Sequence, residues 1–202
     1  MRDNQQLSII NTVNMEAIEE FCHQIYYCDP YTLMHAEHVA ELMSGLAAEM
    51  GMSSDEISLA FIVGLVHDVG KIKTPSDILT KPGKLTDEEY EVMRKHAHQG
   101  AEIIGRIEGA QAVLPSMLHH HERYDGKGYP DGLAGENIPL LSRMLAICDS
   151  FDAMTTGRCY RGPVDLGPCI EEVKLCAGTQ FDPELCQLFV AFLQSRFGVA
   201  VE

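Results

Sequence analysis

Apolar residues recur at helical spacing along most of this chain. The clearest stripe predicts a helix from about Tyr31 to Met50 that ends at Gly51, because glycine readily follows a helix C-terminus. The apolar positions of this stripe are Val39, Leu42, Met43, Leu46 and Met50. His35 lies one turn before Val39 on the same stripe, so its side chain is predicted to point into the protein.

Two capping boxes predict further helix starts. Ser53 with Glu56 opens a helix to about His67, and Thr86 with Glu89 opens one to about Ile107. Other helices are predicted over about 15–27, 139–151, 165–177 and 183–196, and a glycine-rich loop over 122–138. The chain has no convincing strand-period run. We therefore predict an all-α protein in which a single compact helical domain at 29–202 follows a tail and first helix at 1–28.

Composition excludes several classes of protein. A net charge of −15 argues against the binding of long nucleic acids, because their phosphates are bound by basic surfaces. The longest apolar stretch, Leu59 to Val66, is too short for a membrane span, and the polar N-terminus does not resemble a signal peptide, so a cytoplasmic protein is expected. The seven cysteines form no CxxC pair, which argues against a thiolate metal site or a disulfide framework.

Histidine and aspartate supply the candidate chemistry. They occur at His35, His67-Asp68, His96, His119-His120-His121 and Asp149. Taken alone, His35, His67-Asp68 and His96 are each better explained as ordinary buried or helix-ending polar groups. Asp149 is more informative, because it lies inside an apolar stripe and unpaired carboxylates are rarely buried. Together, three predicted helices direct a His or Asp inward, and burying these groups without a metal would leave many polar atoms to satisfy. Five His and two Asp could hold two metal ions if Asp68 bridges them, and paired metals hydrolyse phosphate esters.

Motifs in order along the chain carry a family resemblance. They are DPYTLMHAEHVA (29–40), HDVGK (67–71), KPGKLT (81–86), KHAHQGAEII (95–104), HHERYDGKGYPDGL (120–133), IPLLSRMLAICDSFDAMTTGRCYR (138–161) and GTQFDPEL (178–185). They resemble the HD-GYP domain, a branch of the HD superfamily whose members are bacterial phosphodiesterases of cyclic dinucleotides. The resemblance covers roughly residues 29–190 and is highly specific.

The resemblance implies a ligand set for two divalent metal ions. One ion would be held by His35, His67, Asp68 and Asp149. The other would be held by Asp68, His96, His120 and His121, with Asp68 as the bridge. His119 is predicted to lie outside the set. Some relatives hold a third metal through a glutamate where this chain has Tyr31, so two metals are expected. Imidazole and carboxylate ligands favour iron or manganese, with nickel or zinc as alternatives.

The same resemblance implies a substrate pocket and a reaction. Lys71 would lie against the bridging water and the scissile phosphate, and with Asp68 it is the expected catalytic residue. Arg158, Arg161, Asp152 and Tyr129 are candidates for substrate contacts, whereas Arg143 could be structural. We expect a metal-bridging hydroxide to hydrolyse cyclic di-GMP to pGpG, with further hydrolysis to GMP left open.

Alternatives to this reading also remain open at the level of sequence. One is a cyclic GMP-AMP phosphodiesterase, and the other is a signalling module that binds nucleotide or a partner without turnover. Gly128-Tyr129-Pro130 could contact a protein partner or could simply brace the site, and homodimerisation is also left open.

Overall fold

The computed structural model describes Ile18, residues 30–155 and residues 166–198. Within these ranges there are nine α-helices and no β-strand. The helices are α1 (Pro30–Glu49), α2 (Ser54–Val66), α3 (Ser76–Leu79), α4 (Asp87–Arg94), α5 (His96–Ile104), α6 (Leu114–Leu118), α7 (Leu140–Thr155), α8 (Leu166–Leu175) and α9 (Pro183–Phe197). Short 3-10 turns lie at Val69–Lys73, Ala110–Ala112 and Gly135–Asn137. The predicted all-α class is confirmed.

Most of the predicted first helix and Arg158 and Arg161 lie outside the described residues. Ile18 is helical and is buried in the core. The proposed boundary after residue 28 therefore stays a prediction. Among the described residues, no helix has both the length and the apolar character needed to cross a membrane.

The core is built on α1 and α2, which pack against each other and against α7. The predicted stripe of α1 is buried at Val39, Met43 and Leu46. The capping box of α2 forms as expected, since the Ser53 side chain accepts from Glu56 N–H and the Glu56 carboxylate accepts from Ser53 N–H. The two helix backbones approach so closely that a Cβ at Gly64 would lie 2.6 Å from Ala40 Cα.

The single helix predicted from Thr86 to Ile107 is wrong, because the chain breaks there into α4 and α5. Lys95 N–H bonds the carbonyl of Val92, three residues back, and His96 Nδ1 lies 2.7 Å from Met93 O. This carbonyl is the one that a continuous α-helix would pair with the N–H of residue 97. The imidazole therefore takes a carbonyl that the helix would otherwise use, and the ring is fixed at the new helix start.

Residues 119–134 contain no regular helix or strand and are anchored at several points. Tyr124 N–H donates to Gln180 O at 3.2 Å, and Asp125 N–H donates to Thr179 O at 2.8 Å. Farther along, Arg143 Nη1 pairs with Asp182 Oδ2 at 2.5 Å, and the other oxygen of Asp182 caps α9. These contacts support the structural interpretation of Arg143.

Candidate metal centre

The predicted ligands converge from five separate segments of the fold. His35 lies within α1, His67 and Asp68 follow α2, His96 begins α5, His120 and His121 follow α6, and Asp149 lies on α7. They form two groups in which the potential ligand atoms lie within 4.8 Å of one another. One group is His35, His67 and Asp68, and the other is His96, His120 and His121.

Asp68 lies between the two groups. Its Oδ1 is 3.4 Å from His96 Nε2, whereas its Oδ2 is 3.3 Å from His67 Nε2. Each carboxylate oxygen therefore faces a different group, which is the arrangement that a bridging ligand needs. Asp149 belongs to the first group, since its Oδ1 lies 2.9 Å from His35 Nε2 and 3.9 Å from His67 Nε2.

Backbone carbonyls orient three of the imidazoles in the same way. In each case Nδ1 lies next to the carbonyl oxygen three residues earlier: His67 to Gly64 at 2.7 Å, His96 to Met93 at 2.7 Å and His120 to Met117 at 2.6 Å. A carbonyl only accepts hydrogen bonds, so Nδ1 carries the hydrogen and donates. This tautomer leaves the Nε2 lone pair directed into the site, as a metal-binding histidine requires.

His35 is oriented by a carboxylate. Its Nδ1 lies 2.6 Å from Asp152 Oδ2, and the other oxygen of Asp152 lies 3.2 Å from Nδ1 of the more exposed His38. Asp152 is itself buried. The sequence suggested a substrate contact for Asp152, which stays a prediction, whereas the structure shows its direct contact with a predicted metal ligand. Such carboxylate–histidine pairs hold metal ligands in place and raise their basicity.

Burial and neighbouring charges set the protonation of the second group. Burial and the adjacent His96 lower the pKa of His121 to about 3. Burial, followed by the neighbouring imidazoles, lowers the pKa of His120 well below its usual value, and burial also lowers that of His96. These three histidines are therefore neutral at pH 7, and each has a lone pair available for a cation.

The first group carries negative charge. Burial opposes ionisation of Asp68, but Lys71 and then His67 hold the pKa of its carboxyl well below the usual range. For His35, burial lowers the pKa, but hydrogen bonds to Asp149 and Asp152 outweigh it and raise the pKa to about 9. A positive charge is thus favoured between these carboxylates, and a proton on His35 supplies it in the absence of a metal.

The donor atoms fit divalent cations. His67 Nε2 is buried and has no hydrogen-bond partner. His96 Nε2 lies 3.4 Å from His120 Nε2 and 3.1 Å from His121 Nε2. Nitrogen ligands about 2.1 Å from one ion lie roughly 3.0–3.4 Å apart, so these separations match a shared metal. The Nδ1 hydrogens of His96 and His120 are donated to backbone carbonyls, so without a cation between the rings their Nε2 lone pairs would point at each other.

His119 lies outside both groups, as predicted. Its Nδ1 lies 2.9 Å from Pro115 O, and its Nε2 lies 3.0 Å from the exposed Asp131. The neighbouring Glu122 accepts a hydrogen bond from Asp131 N–H at 2.7 Å and so helps to hold the loop beside the site.

A cavity of about 550 Å³ opens onto the two groups. Lys71 lines it, and its Nζ hydrogen-bonds Oδ2 of Asp68. Tyr129 also lines it, with its ring stacked on His121 at a centroid distance of 4.8 Å. The Arg94 guanidinium lies 4.3 Å from the centre of the Tyr129 ring. Lys71 and Tyr129 therefore border the space that a small molecule would occupy next to the two groups of predicted metal-binding residues.

Sequence reasoning missed three residues of this region: Lys81, Tyr90 and Arg94. Lys81 and Tyr90 line the cavity, and Lys81 Nζ pairs with Glu89 at 2.6 Å. Lys81 begins the KPGKLT motif, but the sequence assigned it no role in the site. Tyr90 and Arg94 lie on α4, where a charged or aromatic residue is usually exposed to solvent, so their place in the site becomes visible only when α4 is set against the loop that carries Tyr129.

Comparisons with known proteins agree with this geometry. The chain matches the family described as HD domain over residues 23–185. It is 42% identical over 163 residues to the cyclic di-GMP phosphodiesterase PA4108 of Pseudomonas aeruginosa, which covers 80% of this chain and 39% of that protein. It is 43% identical over 136 residues to 3'3'-cGAMP-specific phosphodiesterase 1 of Vibrio cholerae serotype O1, which covers 67% of this chain and 32% of that protein. The chain thus spans less than half the length of either relative.

The fold also has solved counterparts. It matches Bd1817, a HDG"Y"P protein from Bdellovibrio bacteriovorus, with a TM-score of 0.64 and 19% identity over 80% of this chain and 52% of that chain. At this identity the match shows the fold alone. The family match over most of the chain and the curated relatives establish that this protein belongs to the HD domain family, in its HD-GYP branch.

Proposed function

We propose that this chain is a metal-dependent phosphodiesterase that hydrolyses cyclic di-GMP to pGpG. The observation that carries the proposal is the pair of ligand groups on either side of Asp68, at the base of a cavity of about 550 Å³. A cavity of this size falls within the range of small-molecule sites. The relative PA4108 is named a cyclic di-GMP phosphodiesterase, which supports the choice of substrate.

His35, His67, Asp68 and Asp149 would hold one metal ion, and Asp68, His96, His120 and His121 would hold the other. When bound, two divalent cations would activate a water for attack on phosphorus and offset the charge of the phosphate oxygens. The donor set of imidazoles and carboxylates suits iron or manganese, with nickel or zinc as alternatives.

The side chains of this protein would supply the remaining steps. The Lys71 ammonium lines the cavity beside Asp68, where it can donate to a phosphate oxygen as negative charge develops in the transition state. Tyr129 would bound the substrate on the side of His121. The guanidinium groups of Arg158 and Arg161 are proposed to bind substrate phosphate or guanine, since planar guanidinium donors suit both.

The first test is product analysis. Protein loaded with iron or manganese is incubated anaerobically with cyclic di-GMP, and nucleotides are separated by chromatography while the metal-to-protein ratio is measured. The proposal expects pGpG at about two metals per chain, and continued incubation would reveal any further conversion to GMP. Absence of product at full metal loading would contradict it.

Neighbouring histidines provide a matched pair of variants for this test. His120→Ala removes a predicted ligand and is expected to lose a metal and most activity. His119→Ala removes an imidazole that contacts Pro115 and Asp131 instead, so it should keep both metals and turnover. Equal effects of the two substitutions would contradict the ligand assignment.

A second candidate substrate is cyclic GMP-AMP. The relative from Vibrio cholerae that is named a 3'3'-cGAMP-specific phosphodiesterase is 43% identical to this chain, which favours testing it directly. The ratio of kcat/KM for the two cyclic dinucleotides decides between them. Binding of either one at full metal loading without product would instead indicate a signalling module, for which contact with a protein partner through Gly128–Pro130 becomes the next hypothesis.

A further inference from the structure

A second, smaller cavity of about 220 Å³ lies beside the large one. Its lining includes Arg123, Lys127 and Gln180, which are polar, whereas the large cavity has an apolar wall that includes Ile78 and Leu79. Four residues line both cavities: Tyr90, His121, Tyr129 and Asp149. These four side chains therefore separate two spaces that both open at the proposed metal ligands.

The two tyrosines at this boundary differ in how they are packed. The Tyr129 ring stacks on His121 and also lies under the Arg94 guanidinium. Tyr90 meets Tyr129 at a centroid distance of 6.5 Å and an angle of 82°, and it remains 48% exposed. A perpendicular contact of this kind covers at most one face of the Tyr90 ring.

We propose that Tyr90 is the stacking surface for a purine base of the cyclic dinucleotide. The inference rests on the proposed function, because it requires the scissile phosphodiester to lie at the metal groups. Tyr90 is two ring contacts away from the ligand His121, through Tyr129. Each phosphodiester of a cyclic dinucleotide joins two riboses, and each ribose carries one base. A base must therefore lie in the space next to the bound phosphate.

The lining of the large cavity suits a flat base. Its apolar lining includes Ile78, Leu79, Leu85 and Met93, and Tyr90 supplies the aromatic surface. Stacking is tolerant of base identity because every base has a π-face. Tyr90 is therefore assigned to binding a purine in general, and not to distinguishing guanine from adenine.

Phe197 provides a matched control. It is 49% exposed, almost the same as Tyr90, but it is the last residue of α9, where Arg196 lies 5.7 Å from its ring. It lines neither of the two cavities described here. Removing this ring tests the general effect of deleting an exposed aromatic side chain.

Steady-state kinetics on the metal-loaded protein test the assignment. Tyr90→Ala should raise KM for cyclic di-GMP by about five- to hundredfold, the range expected for one lost stacking contact, with a much smaller change in kcat. Tyr90→Phe keeps the ring and should recover most of this loss, while Phe197→Ala should match the wild type. The assignment is overturned if KM of Tyr90→Ala stays within about twofold of the wild type, or if kcat alone falls.

A binding measurement separates this inference from the proposed function. The chain contains no tryptophan, so Tyr90→Trp and Phe197→Trp each introduce a single fluorophore. In a Lys71→Ala background with metal bound, cyclic di-GMP should quench the tryptophan at position 90 and leave that at 197 unchanged. Absence of quenching at 90, or equal quenching at both, overturns the assignment. Quenching at 90 without product from the wild type would instead refute hydrolysis and retain the base site.

Discussion

Asp152 is expected to control the affinity of one metal and leave the other unchanged. Its carboxylate contacts Nδ1 of His35 at 2.6 Å and Nδ1 of His38 at 3.2 Å, and His35 belongs to one of the two ligand groups, whereas His96, His120 and His121 form the other. Asp152→Asn can still accept from His35 but loses the charge of the acceptor. Asp152→Ala leaves the buried Nδ1–H of His35 without this acceptor.

The size of the two effects follows from these contacts. A hydrogen bond to a charged acceptor is roughly twice as strong as one to a neutral acceptor. Asp152→Asn should therefore weaken the binding of one metal ion by about tenfold, or about 1.4 kcal/mol. A buried donor without its acceptor costs about 1–3 kcal/mol, so Asp152→Ala should lower the affinity for the same metal ion by about 10- to 100-fold. His38→Ala keeps the contact between Asp152 and His35 and should have the smallest effect.

The protein is first stripped of metal with a chelator and then titrated with metal in a calorimeter. A competing chelator brings tight sites into the measurable range, so that the two binding events can be resolved. One event should weaken in the order His38→Ala, Asp152→Asn, Asp152→Ala, while the other stays at the wild-type affinity. Circular dichroism of each variant establishes that the helices are retained. Unchanged affinity at both sites, or equal weakening of both in a folded protein, would refute the reasoning.

Four further predictions address the same centre. Asp68→Ala should abolish both metal binding and turnover, because it removes the bridge; retained activity with full metal content would contradict the bridging role. Lys71→Ala should keep the metals but lower kcat by about 10²–10³-fold in steady-state assays, as for other lost transition-state donors. Gly70→Ala should lower the free energy of unfolding in denaturant titrations by at least about 1–3 kcal/mol, because its Cβ would lie 1.9 Å from His96 O. Finally, the chelated protein should lose stability in acid: the pKa of His121 is about 3 when folded and about 6.5 when unfolded, so the unfolded chain binds the proton first. The loss for this residue is about 1.4 kcal/mol per pH unit below pH 6.5, and equal stability at about pH 7 and pH 5 would contradict it.

The convergence of the predicted ligands could be anticipated from the sequence because several of them stand at a recognisable place in a local pattern. His35 occupies the apolar stripe of a predicted helix, and His67-Asp68 ends a helix that begins with a capping box. The family motifs then suggested His120 and His121 as ligands and left His119 out; in the structure His120 and His121 lie together with His96, whereas His119 contacts Asp131.

The supporting contacts could not be predicted in the same way. Asp152 follows Asp149 by three residues, so helix geometry places both on one face of α7. That rule does not say which helix packs against this face, and only the packing of α7 on α1 brings Asp152 to His35. Tyr90 is a similar case, since its position beside Tyr129 depends on how α4 meets a loop almost forty residues away.

The break between α4 and α5 shows why the periodic pattern predicted the wrong helix boundary at His96, one of the predicted ligands. The last carbonyls of a helix lack intrahelical partners, so a side chain just beyond the helix end can bond to them. His67, His96 and His120 each lie one or two residues after a helix end and take a carbonyl three residues back. A continuous helix would pair Met93 O with a backbone N–H, and Nδ1 of His96 would lose the contact that aims Nε2 at Asp68. The interruption after Arg94 therefore orients a predicted metal ligand, and the sequence alone could not reveal it because α4 and α5 are both amphipathic helices.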